Sequence, residues 1–137
     1  MKPISIYTLH PKLKALGFNE IKLADSSYVA PSHGWLKEFA AYLFRNCPTY
    51  YRETFDCENI ARWAMVEADK ALVDSGTREA GHTFGEATGS IQTNGKFSSH
   101  TLNFCYCDDD EIYVVDAQAG LLAPIADYNA AWNSSRL

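Results

Sequence analysis

The sequence lacks any long apolar run. No stretch approaches the ~18 consecutive apolar residues needed to cross a bilayer. Met1-Lys2-Pro3-Ile4-Ser5 opens on nothing like the apolar centre of an export signal. A basic excess is also missing. Twelve Lys and Arg face seventeen Asp and Glu, for a net charge of −5. That excludes the cationic stripe of a nucleic-acid binder and the polybasic patch of an anionic-membrane ligand. Cys47, Cys57, Cys105 and Cys107 form no CxxC pair, so neither a zinc ribbon nor a redox dithiol is expected. Cys105 and Cys107 would stand about 6–7 Å apart on one face of a strand, which is unsuited to a disulfide. Metal and phosphate motifs are missing too. The acidic run Asp108 to Glu111 lacks the glycine and terminal glutamate of a calcium loop, His82 has no ligand four residues on, and Gly81, Gly85 and Gly89 do not make a phosphate cradle. No metal and no cofactor is expected from these residues.

What is present is enough for a packed core. The chain has 137 residues, 47% of them apolar and 21% charged, which predicts one domain over residues 1–137. Pro11 to Gly17 reads as a short helix with a proline start and a glycine stop. Ile21 to Leu23 reads as a short extended piece. Ser32 can cap a helix running to about Arg45, whose Leu36, Phe39, Ala40, Leu43 and Phe44 make one apolar stripe. Asp56 and Gly76 bracket a third helix with Ile60, Ala61, Ala64, Met65, Ala68, Ala71 and Leu72 on its inner face. Thr83 to Ile91, His100 to Cys107 and Glu111 to Gln118 read as strands, the last two joined as a hairpin by the Asp108-Asp109-Asp110 turn. Ile125 to Trp132 reads as a last short helix. Helices first and antiparallel strands after them predict an α+β fold.

One constellation carries chemistry. Cys57 falls at the start of the third helix, where free amides and the helix dipole stabilise an anion. Asp56 and Glu58 oppose that effect by like charge, so a thiolate there needs an imidazole partner. If the hairpin turns on Asp109, residue pairs sum to 218, His100 faces Gln118, and Asp116 is the diagonal neighbour of His100 on the same face. A carboxylate there holds one ring nitrogen and leaves the other for a thiol. A one-residue change of register would put Asp116 on the opposite face. Each residue also has a plain structural role: Cys57 as a small core residue, His100 as a satisfied polar group, Asp116 as the start of a turn. Trp35, Trp63 and Trp132 are core or groove aromatics.

The phrases Asp56-Cys57-Glu58-Asn59, His100-Thr101-Leu102-Asn103 and Asp116-Ala117-Gln118 resemble the protease domain of fungal chimerolectins of the Marasmius oreades agglutinin type. That domain is similar to distant papain relatives, and lone copies occur in bacterial and phage proteins labelled lectin-related. The resemblance spans roughly residues 25–124, with Tyr28 and the Trp35 helix inside it. It implies a papain-like or transglutaminase-like α+β fold in which a nucleophile helix packs on a small antiparallel sheet. It makes Cys57 the nucleophile, His100 the general base and acid, and Asp116 the orienting acid, with Gln118, Asn103 and Trp35 as oxyanion or supporting residues. Asp116 stands where the family has Glu, one methylene longer. Asn59 stands where the family has Asp at the helix start, so calcium enters by resemblance only. No room remains for the family's sugar-binding trefoil.

On that basis the expected function is a thiol hydrolase cleaving a peptide or isopeptide bond of a protein substrate. The alternatives are a transglutaminase-like acyltransferase or amidase, and a non-enzymatic phage-type protein that binds and inhibits a host factor. With no export signal, the cytoplasm of a bacterial or phage-infected cell is the expected location.

Overall fold

The computed structural model describes every residue except Arg78 and Asn94, and Thr93 by its backbone alone. Its elements begin with β1 (Lys2–Ser5), α1 (Ile6–Ala15), β2 (Glu20–Lys22), β3 (Ser27–Ala30), α2 (His33–Asn46) and α3 (Cys57–Asp74). They continue with β4 (Gly81–His82), β5 (Phe84–Thr93), β6 (Lys96–Tyr106), β7 (Ile112–Asp116), β8 (Leu121–Pro124), a 3-10 turn at Ile125–Asp127, and β9 (Ala130–Arg136). Among the described residues the strands form two mixed sheets. The smaller has the order β1-β3-β4 and the larger β2-β9-β5-β6-β7-β8.

The helices begin where local chemistry allows. Ser32 Oγ accepts from the Trp35 amide at 3.0 Å and starts α2. α3 starts with a reciprocal cap, in which Asp56 accepts from the Glu58 amide and Asn59 Oδ1 accepts from the Asp56 amide, each at 3.2 Å. Gly76, at φ +94°, supplies the left-handed conformation that ends it.

Alternation along the strands builds a core on each face of the large sheet. Leu102, Phe104, Tyr106, Ile112 and Val114 join Leu9 and Leu13 of α1, together with Phe18, Tyr28 and Trp132. Cys105, Cys107, Tyr113, Val115 and Ala117 join Leu36, Phe39 and Leu43 of α2 and Ile60, Ala64 and Ala68 of α3. Every residue of β7 is buried in consequence. Asn103 ties α3 to the sheet, its side-chain amide donating to Ala61 O at 2.9 Å and Gly85 O at 3.0 Å.

This corrects the expected α+β, papain-like or transglutaminase-like layout of N-terminal helices followed by a small antiparallel sheet. The chain opens on a strand, β1 to β3 interleave with the helices, and the main sheet is large, mixed and covered on both faces. The reason is length. β1 to β4 hold two to four residues each, too short to show a period, and their partners lie far along the chain. α1 begins five residues before Pro11, which lies inside it and does not start it. The expected last helix is a 3-10 turn and then β9, because β9 fills the slot between β2 and β5, and pairing on both sides outweighs the helix preference of Ala130 and Ala131.

Candidate functional site

The hairpin of β6 and β7 has the register expected from its turn. Asn103 faces Val115 and Tyr106 faces Ile112, pairs that sum to 218. Asp109 and Asp110 hold the turn from within. Tyr113 donates to Asp109 Oδ2 at 2.7 Å, Tyr106 donates to Asp110, and Asp110 takes a φ of +63°.

At the far end of the hairpin Asp116 meets His100 as that register requires. Nε2 of His100 lies 3.0 Å from Asp116 Oδ2. Asp116 is 6% exposed, and its other oxygen accepts from the amides of Gln118 at 3.1 Å and Ala119 at 3.3 Å. An ionised carboxylate is an acceptor only, so with Asp116 ionised His100 donates to it through Nε2–H and keeps Nδ1 for another group.

Cys57 is the first residue of α3 and is half-buried. Before it, Tyr51 and Phe55 exchange two backbone hydrogen bonds of 2.8 Å and close a tight turn with Glu53 at φ +66°. Tyr50 and Tyr51 stand exposed on this turn. Among the described residues no hydrogen bond joins Cys57 Sγ to His100. The structure therefore brings together two of the three residues expected to act as a unit. The remaining candidates take other places. Asn103 is buried with its amide spent on backbone carbonyls, Gln118 is exposed and meets Asp116 through its backbone, and Trp35 stacks on Phe39 at 4.8 Å and lies 5.0 Å from His82.

Of the other thiols, Cys47 is half-buried and Cys105 and Cys107 are buried. Burial pushes Cys47 up, with the charge of Asp116 adding to it, and burial pushes Cys105 well up. Among the described residues no group of three or more His, Cys, Asp or Glu side chains is placed to hold a metal. Asn59, which stands where the family has Asp, is engaged in capping α3.

Sequence reasoning passed over Glu86. It lies on β5, its side chain only 12% exposed, between Arg62 Nε at 3.7 Å and Arg136 Nε at 3.9 Å. The signal was available: Glu86 shares a face with buried Phe84 inside the predicted 83–91 strand, which puts an acid at an inward position.

No protein-family model and no curated protein sequence matches the chain. Solved structures do. One, described as a PSL1a-E64 complex, matches at a TM-score of 0.69 and 15% identity over 98% of this chain and 51% of its own. Another, Polyporus squamosus lectin bound to the human-type influenza-binding epitope Neu5Aca2-6Galb1-4GlcNAc, matches at 0.68 and 16% identity over 98% and 49%. At 15% and 16% identity the likeness is one of fold. The chain spans about half the length of each.

These findings correct the papain-like protease resemblance. The matching structure that is named in full is a lectin, and of the expected description only the lectin wording is retained. The thiol-hydrolase function, with its acyltransferase and amidase alternatives, gives way with it. Nothing in them connects the chain to inhibition of a host factor.

Proposed function

We propose that residues 1–137 act as one domain that binds carbohydrate. The observation that carries this reading is the likeness of nearly the whole chain to a lectin described with a sialylated trisaccharide bound. The net charge of −5 gives no support to nucleic acid or anionic membrane as the partner. No helix among the described residues is long and apolar enough to cross a membrane. The four cysteines are free, which suits a reducing cytoplasm. A glycan array, followed by ligand-observed NMR on the retained sugars, tests the reading. Retention of at least one glycan is expected. No retention, together with no NMR response to any sugar at millimolar concentration, sinks it.

A second reading is favoured by one contact, the hydrogen bond between His100 and Asp116. In it Cys57 is a nucleophilic thiol at a helix start, His100 takes its proton through Nδ1, and Asp116 fixes the imidazole by Nε2. Asn103 and Trp35 support the elements that carry them, and Gln118 closes the turn that holds Asp116. A thiol and its base often sit loosely until a ligand tightens them. No bond cleavage is attached to this reading. Site-resolved alkylation with iodoacetamide near neutral pH tests it. Cys57 is expected to label several-fold faster than Cys47 and Cys105, and more slowly in His100→Ala. Equal labelling of the three, unchanged in the variant, removes it.

A further inference from the structure

The first half of β6 has a strand on one side only. β5 pairs with it from Lys96 to Cys105, but β7 pairs with it only from Asn103 to Tyr106. Among the described residues no strand lies on the outer side of residues 96–102. The cause is Asp116. Its carboxylate accepts the amides of Gln118 and Ala119 and turns the chain away where β7 would otherwise run on beside His100.

Parity shows which backbone groups this leaves over. The Tyr106 amide donates inward to Thr83 O at 3.1 Å, and the Cys107 amide donates outward to Glu111 O at 2.9 Å. Even residues of β6 therefore bond toward β5, and odd residues bond away from it. Phe97 and Ser99 aim N–H and C=O outward from exposed positions. Phe97 is a large apolar residue and is 61% exposed. The other sheet edges are blunted against pairing. β2 has three residues, two of them the exposed Glu20 and Lys22, β4 has only two residues, β1 contains Pro3, and β8 ends in Pro124. Residues 97–101 of β6 hold neither a proline nor a Lys, Arg, Asp or Glu.

We propose that this edge takes up a short extended peptide as an antiparallel strand, in the slot that β7 leaves at Asp116. The proposal stands apart from the carbohydrate reading above. A row of alternating N–H and C=O groups matches the backbone of another strand. The row limits what that strand belongs to. Residues 96–101 span roughly 20 Å. A second copy of the chain held by this edge alone would bury on the order of a few hundred Å², below the roughly 1,200 Å² of a stable interface. It would also bring together two chains that each carry a charge of −5. Side chains set the sequence of the peptide. The residue opposite Phe97 shares its face and is apolar. The residue opposite His100 lies on the other face. There neutral His100, donating Nε2–H to Asp116, accepts through Nδ1, which suits a Ser or Thr hydroxyl. From its N-terminus the peptide therefore reads Ser or Thr, any two residues, then an apolar residue.

The test titrates the full chain with the blocked peptide acetyl-Thr-Ser-Val-Thr-Leu-Thr-amide to millimolar concentration, followed by amide shift mapping and hydrogen exchange. Shifts at residues 96–101 and slower exchange of the Phe97 and Ser99 amides are expected. N-methylation of the peptide's Val and Leu, whose amides face β6, is expected to abolish binding. N-methylation of its Ser and second Thr, whose amides face away, is expected to change affinity by less than about twofold. Ser99→Pro removes one outward N–H at an edge position and is expected to weaken binding at least about fivefold. The methylated peptides keep the test valid if that variant does not fold. No binding at millimolar peptide, shifts confined to other segments, or equal affinity of the two methylated peptides overturns the proposal. So does a dimer of the peptide-free chain in sedimentation equilibrium that protects the same two amides, since a second copy then fills the slot.

Discussion

Two inward-facing carboxylates, Asp116 and Glu86, lie on the same sheet in opposite states. Asp116 is 6% exposed and accepts three hydrogen bonds, from His100, Gln118 and Ala119. The Glu86 side chain is 12% exposed and has two long ion pairs and an oxygen without a donor. The satisfied carboxylate shapes the protein itself, fixing an imidazole and closing the turn after β7. The unsatisfied one is sealed beside Arg62, with the Arg136 guanidinium on its other side. His82 is a third case. Its Nδ1 accepts from the Phe84 amide at 3.2 Å, while its Nε2 is buried without a partner beside the ring of Trp35. It shows what an orphaned nitrogen does when it is packed among aromatics: it stays uncharged, its pKa lowered by burial to about 4.

The largest effect expected is therefore from His82. Its folded value of about 4 lies below the ordinary 6.5, so the unfolded chain binds the proton more readily. The stability tied to neutral His82 is fully present above about pH 6.5 and is lost as pH falls toward about 4, to the extent of about 3 kcal/mol. Urea unfolding across that window should show the slope, and His82→Phe should flatten it. An unchanged slope in the variant would assign the acid sensitivity to the carboxylates instead.

Asp116→Ala comes next. It strips three donors of their acceptor at a buried position and should cost about 2 kcal/mol in a denaturant titration. Glu86→Gln should move the midpoint by less than about 1 kcal/mol in either direction, because Arg62 and Arg136 are half-exposed and the lost desolvation penalty offsets the lost attraction. A larger loss for Glu86→Gln than for Asp116→Ala would reverse the comparison and make Glu86 a structural ion pair. The smallest effect belongs to Lys2→Ala. Its pair with Asp110 at 3.4 Å lies between exposed side chains, so the change should barely move a denaturant titration and fade with salt.

The parts of this protein that local chemistry governs were legible. Ser32, Asp56 and Gly76 mark helix ends through caps and a left-handed glycine, and α2 and α3 run as their stripes predict. The Asp108 to Asp110 turn sets a register, and the register alone brings Asp116 to His100. What was not legible depends on distant strands. The papain-like reading took the short phrases around Cys57, His100 and Asp116 as a pattern of the whole fold, while the strands at residues 2–5, 20–22 and 27–30 carried no period by which to object.

The sequence by itself determined the segments whose partners lie within a few residues: helix starts and stops, one hairpin and its parity, and the acidic balance of the surface. Only the tertiary structure decided which segments lie side by side. It placed β9 between β2 and β5, covered both faces of the sheet, and set Lys22, Arg136 and Glu86 in one row from three distant parts of the chain. The physical reason is that a strand has no internal hydrogen bonds of its own. Its pairing, and therefore which side chains share a face, is fixed by whichever strand lies beside it.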